Sequence, residues 1–118
     1  MAQAAIGLNE GQDQAAIDRA HLRRMTFGDR SLEQEVLRLF DRQAELLIER
    51  MRASDAAAIA VLAHTLRGSA LGIGAGGVAD AARAVEAAGT PAAQGQAIDR
   101  LAAAITTARA SIAELLRA

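Results

Sequence analysis

The sequence predicts an all-α fold, an antiparallel four-helix bundle with a short additional N-terminal helix. Three observations carry this. The chain has 118 residues, room for one domain and one core. It is 52% hydrophobic but only 2% aromatic, and 31 alanines make up the difference, a composition that suits closely packed helices better than sheets. Its apolar residues recur at helical spacing in four substantial segments with short connections, and a single Pro argues against a loop-rich β protein.

Residues 1–14 are small and polar without periodicity and read as a flexible tail, leaving 15–118 as the domain. Ile17, Leu22 and Met25 give a short first helix, which Phe27-Gly28-Asp29-Arg30-Ser31 breaks. Ser31 followed by Gln34 is a capping-box pattern that opens a long helix to about Arg52. Leu32, Val36, Leu39, Phe40, Leu47 and Met51 are expected to line its core face. Glu35, Arg38, Arg42, Glu45, Glu49 and Arg52 fall opposite, as a solvated face. Ser54-Asp55 is the next cap signal, with Ser54 as the acceptor, and a third helix is expected from about Asp55 to Leu71. Gly72-Ile73-Gly74 ends it. A fourth helix, about Ala75 to Ala88, shows Val78, Ala81, Ala82 and Val85 and stops at Gly89. At Thr90-Pro91 the Thr caps and the Pro takes a first-turn position that needs no N–H. Ile98, Leu101, Ile105, Ile112 and Leu115 mark the last helix.

Composition excludes several kinds of chemistry. With no Cys there is no disulfide, thiolate nucleophile, iron–sulfur cluster or Cys-based zinc site. His21 and His64 are too few for a typical zinc enzyme, and no Glu-x-x-His pair suggests a di-iron centre. A net charge of −1 gives no whole-chain electrostatic case for nucleic acid or an anionic membrane. The start of the chain lacks the pattern of a signal peptide, and charges are expected to interrupt every apolar stretch of about 18 residues, so a cytoplasmic protein with no membrane partner is expected. A monomer is expected.

The third helix carries the candidate chemistry. At about 100° per residue, Ile59, Leu62, Ala63, Leu66 and Ala70 share the core arc, and His64 lies roughly 140° from its centre. His64 therefore points outward. Ala57, Ala60, Val61, Arg67, Gly68 and Leu71 share that outward face, which is small and apolar where a solvated face would be charged. Gly68 inside a helix costs about 1 kcal/mol relative to Ala, and close approach of another molecule beside His64 would account for it. A neutral imidazole can act as a nucleophile, and Arg67, one turn on, can neutralise a phosphoryl group. Taken alone, the pair reads as a surface His and Arg without a role.

The string Ala63-His64-Thr65-Leu66-Arg67-Gly68-Ser69-Ala70 closely resembles the His-x-x-Lys/Arg-Gly-Ser-Ala signature of histidine-containing phosphotransfer (HPt) domains of bacterial two-component phosphorelays. The resemblance continues through Gly74-Ala75 and, with Gly28-Asp29, the long second helix and Ser54-Asp55, covers most of the chain. It implies a stoichiometric carrier that takes a phosphoryl group from a receiver aspartyl phosphate and passes it to another receiver Asp. By the same resemblance His64 is the phosphorylated nucleophile, Arg67 stands where Lys is usual, Gly68 admits the partner, and Ser69 is a polar second-layer position. Ala57, Ala60, Val61, Gly68 and Leu71 would meet receivers or a hybrid sensor kinase. The departures are Arg67 for Lys, which keeps the charge but not the ammonium geometry, and Gly72 where many members carry Asn. No cofactor is expected in this chain, Mg²⁺ belonging to the receiver. No nucleotide motif suggests ATP-dependent kinase activity. The alternatives are an unphosphorylated helical module that binds a receiver or kinase, and the histidine-bearing domain of a chemotaxis-type kinase.

Other features have blander readings. Asp18-x-x-His21 has metal-ligand spacing but reads as surface, as do Arg23, Arg24 and Arg30. Gly74, Gly76 and Gly77 form a Gly-rich turn without the strand or the Lys-Ser/Thr of a phosphate-binding loop.

Overall fold

A computed structural model describes residues 15–118, so the expected tail at 1–14 lies outside the described residues. The described residues form five helices and no strand: α1 (Arg19–Met25), α2 (Arg30–Arg52), α3 (Ala56–Ile73), α4 (Gly76–Ala87) and α5 (Pro91–Arg117). Helix α3 packs against α2 and α4, α5 against the same two, and α1 leans on α3.

Four of the five helices start on a side-chain cap. Asp18, Asp29, Asp55 and Thr90 accept hydrogen bonds from the backbone N–H of His21, Leu32, Ala58 and Ala93. Two expected caps are thereby corrected. Asp29 opens α2, leaving Ser31 inside the first turn, and Asp55 opens α3 while Ser54 Oγ instead donates to Arg50 O at 2.6 Å. In both cases a carboxylate stood within two residues of the Ser, and an ionised acceptor binds the exposed N–H groups more strongly. Pro91 occupies the first turn of α5 as expected.

The core face of α2 also differs from expectation. Leu37, Phe40, Ala44, Leu47 and Met51 are buried, whereas Leu39 is 57% and Leu32 36% exposed. The pattern 37-40-44-47-51 is as regular as the expected one, and packing against α3 and α5 selects it. On α3 the buried set is Ile59, Ala63, Leu66, Ala70 and Ile73, with Leu62 only half-buried. Similarly, α4 buries Ala79 with Val78, Ala82 and Val85, while Ala81 is half-buried, and Leu115 of α5 is half-buried.

Helix α3 runs two residues past the expected end, through Gly72, and stops on Gly74 with a left-handed φ of 80°. Its 18 residues include only one Asp, Glu, Lys or Arg, namely Arg67, which is the length and composition of a membrane span. That corrects the expectation that charges interrupt every such stretch. In this fold the helix buries one face between α2 and α4 instead.

Polar contacts join the helices at their edges. Arg109 of α5 reaches Asp41 at 2.7 Å and Glu45 at 2.8 Å on α2, and Arg52 meets Asp99 at 3.1 Å. Asp18 N donates to Gly74 O at 2.8 Å, tying the start of α1 to the end of α3.

Candidate functional site

His64 sits mid-way along α3, one position after buried Ala63, and its ring leaves the helix about 140° from the centre of the buried Ile59, Ala63, Leu66, Ala70 and Ile73. The side chain is 66% exposed. Its surface neighbours are as helical spacing requires: Val61 and Leu71 are exposed apolar side chains, Ala57 and Gly68 are exposed, and Ala60 is half-buried. A Cβ built on Gly68 would meet no atom within 4 Å, so nothing in this fold requires glycine there.

One residue in contact with His64 was not foreseen. Glu86, on α4, places Oε1 3.0 Å from Nδ1 of His64. Its Oε2 is shielded from solvent, makes no hydrogen bond, and lies 3.4 Å from Nη1 of Arg67. Arg67 Nη2 stands 3.5 Å from the same Nδ1. An ionised carboxylate can only accept, so the shorter contact puts the proton on Nδ1. With Nδ1 donating, the Arg67 contact is an approach of two donor groups rather than a bond. Nε2 is then left with its lone pair.

The sequence offered one signal for Glu86. Asp80, Arg83 and Glu86 recur every three residues along α4, a charged edge beside its buried Val78, Ala82 and Val85. That edge also supplies Asp80 and Arg83, which with Arg67, Leu71 and Ala79 line a groove of about 280 Å³.

Other candidate residues are not brought to the site. Ser69 is five positions from His64, about 140° around the helix, and among the described residues its Oγ has no hydrogen bond to His64, Arg67 or Glu86. Gly72 lies inside α3 with open space around it. The Asp18 carboxylate caps α1 through His21 N, and His21 Nε2 is buried without a partner. Among the described residues no three His, Asp or Glu side chains gather as a metal site would need. Arg30 donates to Ala118 O at 2.6 Å, while Arg23 and Arg24 are exposed.

A family model, Hpt domain, matches residues 30–111, which includes α2, α3, α4 and most of α5. The chain belongs to the Hpt domain family. Histidine phosphotransfer in phosphorelays is the activity of that family, and receiver domains are its partners. The fold is also similar to an X-ray structure from rice assigned as a histidine-containing phosphotransfer protein. The TM-score is 0.60 at 18% identity, over 98% of this chain and 84% of that one. No curated protein matches the chain. This Hpt domain thus offers an outward imidazole held at Nδ1 by a carboxylate, a neighbouring cation and a low apolar surround.

Proposed function

We propose that this Hpt domain carries a phosphoryl group on Nε2 of His64, taking it from the aspartyl phosphate of one receiver and giving it to the Asp of another. The observation that supports this is the 3.0 Å contact of Nδ1 with Glu86, on a ring otherwise open to a partner. The Nε2 lone pair attacks phosphorus, an N–P bond forms, the acyl phosphate P–O bond breaks, and the receiver carboxylate leaves. The attack places positive charge on the ring, and the Glu86 carboxylate stands where it stabilises that charge through Nδ1–H. The reverse sequence delivers the group to the next Asp, and catalysis is mostly positioning and charge stabilisation.

Arg67 neutralises the phosphoryl oxygens in this reading. Its guanidinium lies on the Nδ1 side of the ring beside Glu86, so it swings toward Nε2 as the group arrives. Ala57, Ala60, Val61, Gly68 and Leu71 form the docking floor, and Gly68 lets the receiver backbone come close. Ser69 acts at most through the backbone of α3. The four longer helices serve as an antiparallel bundle that holds α3 rigid. Mg²⁺ enters with the receiver, and the setting is cytoplasmic.

The test is incubation with a panel of phosphorylated receivers. Acid-labile, base-stable label is expected on the native chain and none on His64→Gln. Label retained by the variant removes His64 as the carrier. A receiver that binds without labelling replaces this reading with a pure interaction module.

A further inference from the structure

The two oxygens of Glu86 face different partners. Oε1 accepts from Nδ1 of His64 at 3.0 Å, whereas Oε2 is shielded from solvent, makes no hydrogen bond and has Nη1 of Arg67 at 3.4 Å. When a phosphoryl group arrives, Arg67 leaves Glu86 for its oxygens. It does so before the N–P bond forms, while the ring is still neutral. The Glu86 side chain is only 21% exposed, and removing one partner of a sheltered ion pair leaves a charge that water compensates poorly. Among the described residues only His64 and Arg67 pair with Glu86, so no third cation is already in place.

Helix α4 carries one within reach. Asp80, Arg83 and Glu86 stand three residues apart along one edge, so Arg83 has a carboxylate one turn away on either side. At rest its Nη2 lies 3.4 Å from Oδ1 of Asp80, and both side chains are mostly exposed, so the pair holds it weakly. The resting choice has a plain cause. Glu86 is occupied by Arg67, and an acid ahead of a base is the better order on a helix. The packing of α3 against α4 then brings the two arginines together. The helices run in opposite directions from the turn at Gly74-Ala75. With His64 against Glu86, Arg67 three residues on lies across from Arg83 three residues back. Both border the same groove of about 280 Å³ with Leu71 and Ala79, which leaves the Arg83 guanidinium room to turn.

We propose that Arg83 is a positioning residue that takes the place of Arg67 on Glu86. As Arg67 turns to the phosphoryl group, Arg83 exchanges Asp80 for Oε2 of Glu86, and the exchange reverses on unloading. No covalent bond forms or breaks in this step; one cation replaces another, and Glu86 stays neutralised and in place on Nδ1. The consequence for transfer rests on His64 being the carrier, whereas the exchange itself can be provoked without phosphate by removing Arg67.

Two experiments on the full chain test it. In the first, Arg67→Met vacates Oε2, and nitrogen NMR is expected to show the Arg83 side-chain N–H signal shifted and its exchange with water slowed about twofold. Adding Glu86→Ala is expected to abolish both changes. An Arg83 signal identical in the native chain and Arg67→Met overturns the proposal, whatever His64 carries. The second follows uptake from a phosphorylated receiver over a range of receiver concentrations. Arg83→Met is expected to lower the maximal rate about threefold, with the half-saturating concentration and the melting curve nearly unchanged, and Arg83→Lys to recover most of the rate. In Glu86→Ala, where Arg67 has no carboxylate to leave, Arg83→Met is expected to change nothing further. A loss that persists in the Glu86→Ala background overturns the proposal and makes Arg83 a direct contact of the phosphoryl group or the receiver. An undiminished maximal rate in Arg83→Met overturns it as well. A native chain that no receiver labels refutes the carrier reading of His64 instead, and the NMR comparison still decides the exchange.

Discussion

Replacing Gly74 by Ala puts a Cβ 2.9 Å from Asp18 O and 3.0 Å from Asp18 Cβ, both closer than carbon tolerates. The obstacle is backbone, and it is pinned: Asp18 N bonds Gly74 O at 2.8 Å, and the Asp18 side chain caps α1. Relief therefore moves the start of α1 and its buried Ile17 and Leu22. The left-handed φ of 80° adds roughly 1–2 kcal/mol for any residue with a Cβ. Adding about 1–2 kcal/mol for the overpacked contact gives a loss of about 2–4 kcal/mol. Gly72, two residues earlier, is the internal control. It is helical, a Cβ there meets nothing within 4 Å, and Gly72→Ala is expected to gain up to about 1 kcal/mol. At about 4 °C per kcal/mol for a domain of this size, Gly74→Ala melts roughly 8–16 °C lower and Gly72→Ala up to about 4 °C higher. Far-UV circular dichroism melts and urea titrations read both. If Gly74→Ala falls within about 1 kcal/mol of the native chain, the steric reasoning from Asp18 is wrong.

Three further outcomes are expected. Gly68→Ala gains about 0.5–1 kcal/mol in urea unfolding yet slows phosphoryl uptake from a receiver; undiminished uptake removes partner approach as the reason for glycine. Glu86→Ala leaves the melting curve nearly unchanged, because its pairs are partly exposed. It slows uptake about three- to tenfold by releasing a charge-assisted bond worth about 1 kcal/mol at so exposed a ring; nitrogen NMR of the imidazole must then show the Nδ1 proton lost in favour of Nε2. Arg109→Met costs about 0.5–1 kcal/mol, less at high salt, since its pairs with Asp41 and Glu45 are half-exposed. The Asp41 hydrogen bond raises the Arg109 pKa further above its already strongly basic ordinary value. A raised pKa of this sign keeps its stabilising share at every pH below the ordinary guanidinium value, so the Arg109 contribution is expected to stay flat from about pH 6 to 9 in paired unfolding titrations.

What could be read in advance followed from how far along the chain the cause lies. Thr90-Pro91 opened α5 as expected because cap and first turn are adjacent residues. His64, Val61, Gly68 and Leu71 fell on one outward face because a single helix fixes their spacing. The face of α2 was not legible in the same way. Leu occurs at 32, 37, 39, 46 and 47, so two stripes compete, and only the positions of α3 and α5 choose between them. Ser31 and Ser54 were favoured as caps over neighbouring Asp29 and Asp55, whose carboxylates won. Glu86 stands 22 residues from His64, and a contact at that distance needs the turn at Gly74-Ala75 to bring α4 back alongside α3.

The three side chains at the site form a balanced set. With a neutral imidazole, the Arg67 cation and the Glu86 anion cancel, and an acidic surface can approach His64 without net repulsion. A phosphoryl group of about −2 on a ring made positive by the transfer adds a net charge of about −1, and Arg67, already balanced by Glu86, does not cancel it. The loaded protein would therefore present a local field that the empty one lacks, turned on and off by the transfer itself. An acidic donor that has just given up its phosphoryl group would then be pushed away by the product, so that loading the histidine also helps clear its surface for the next partner.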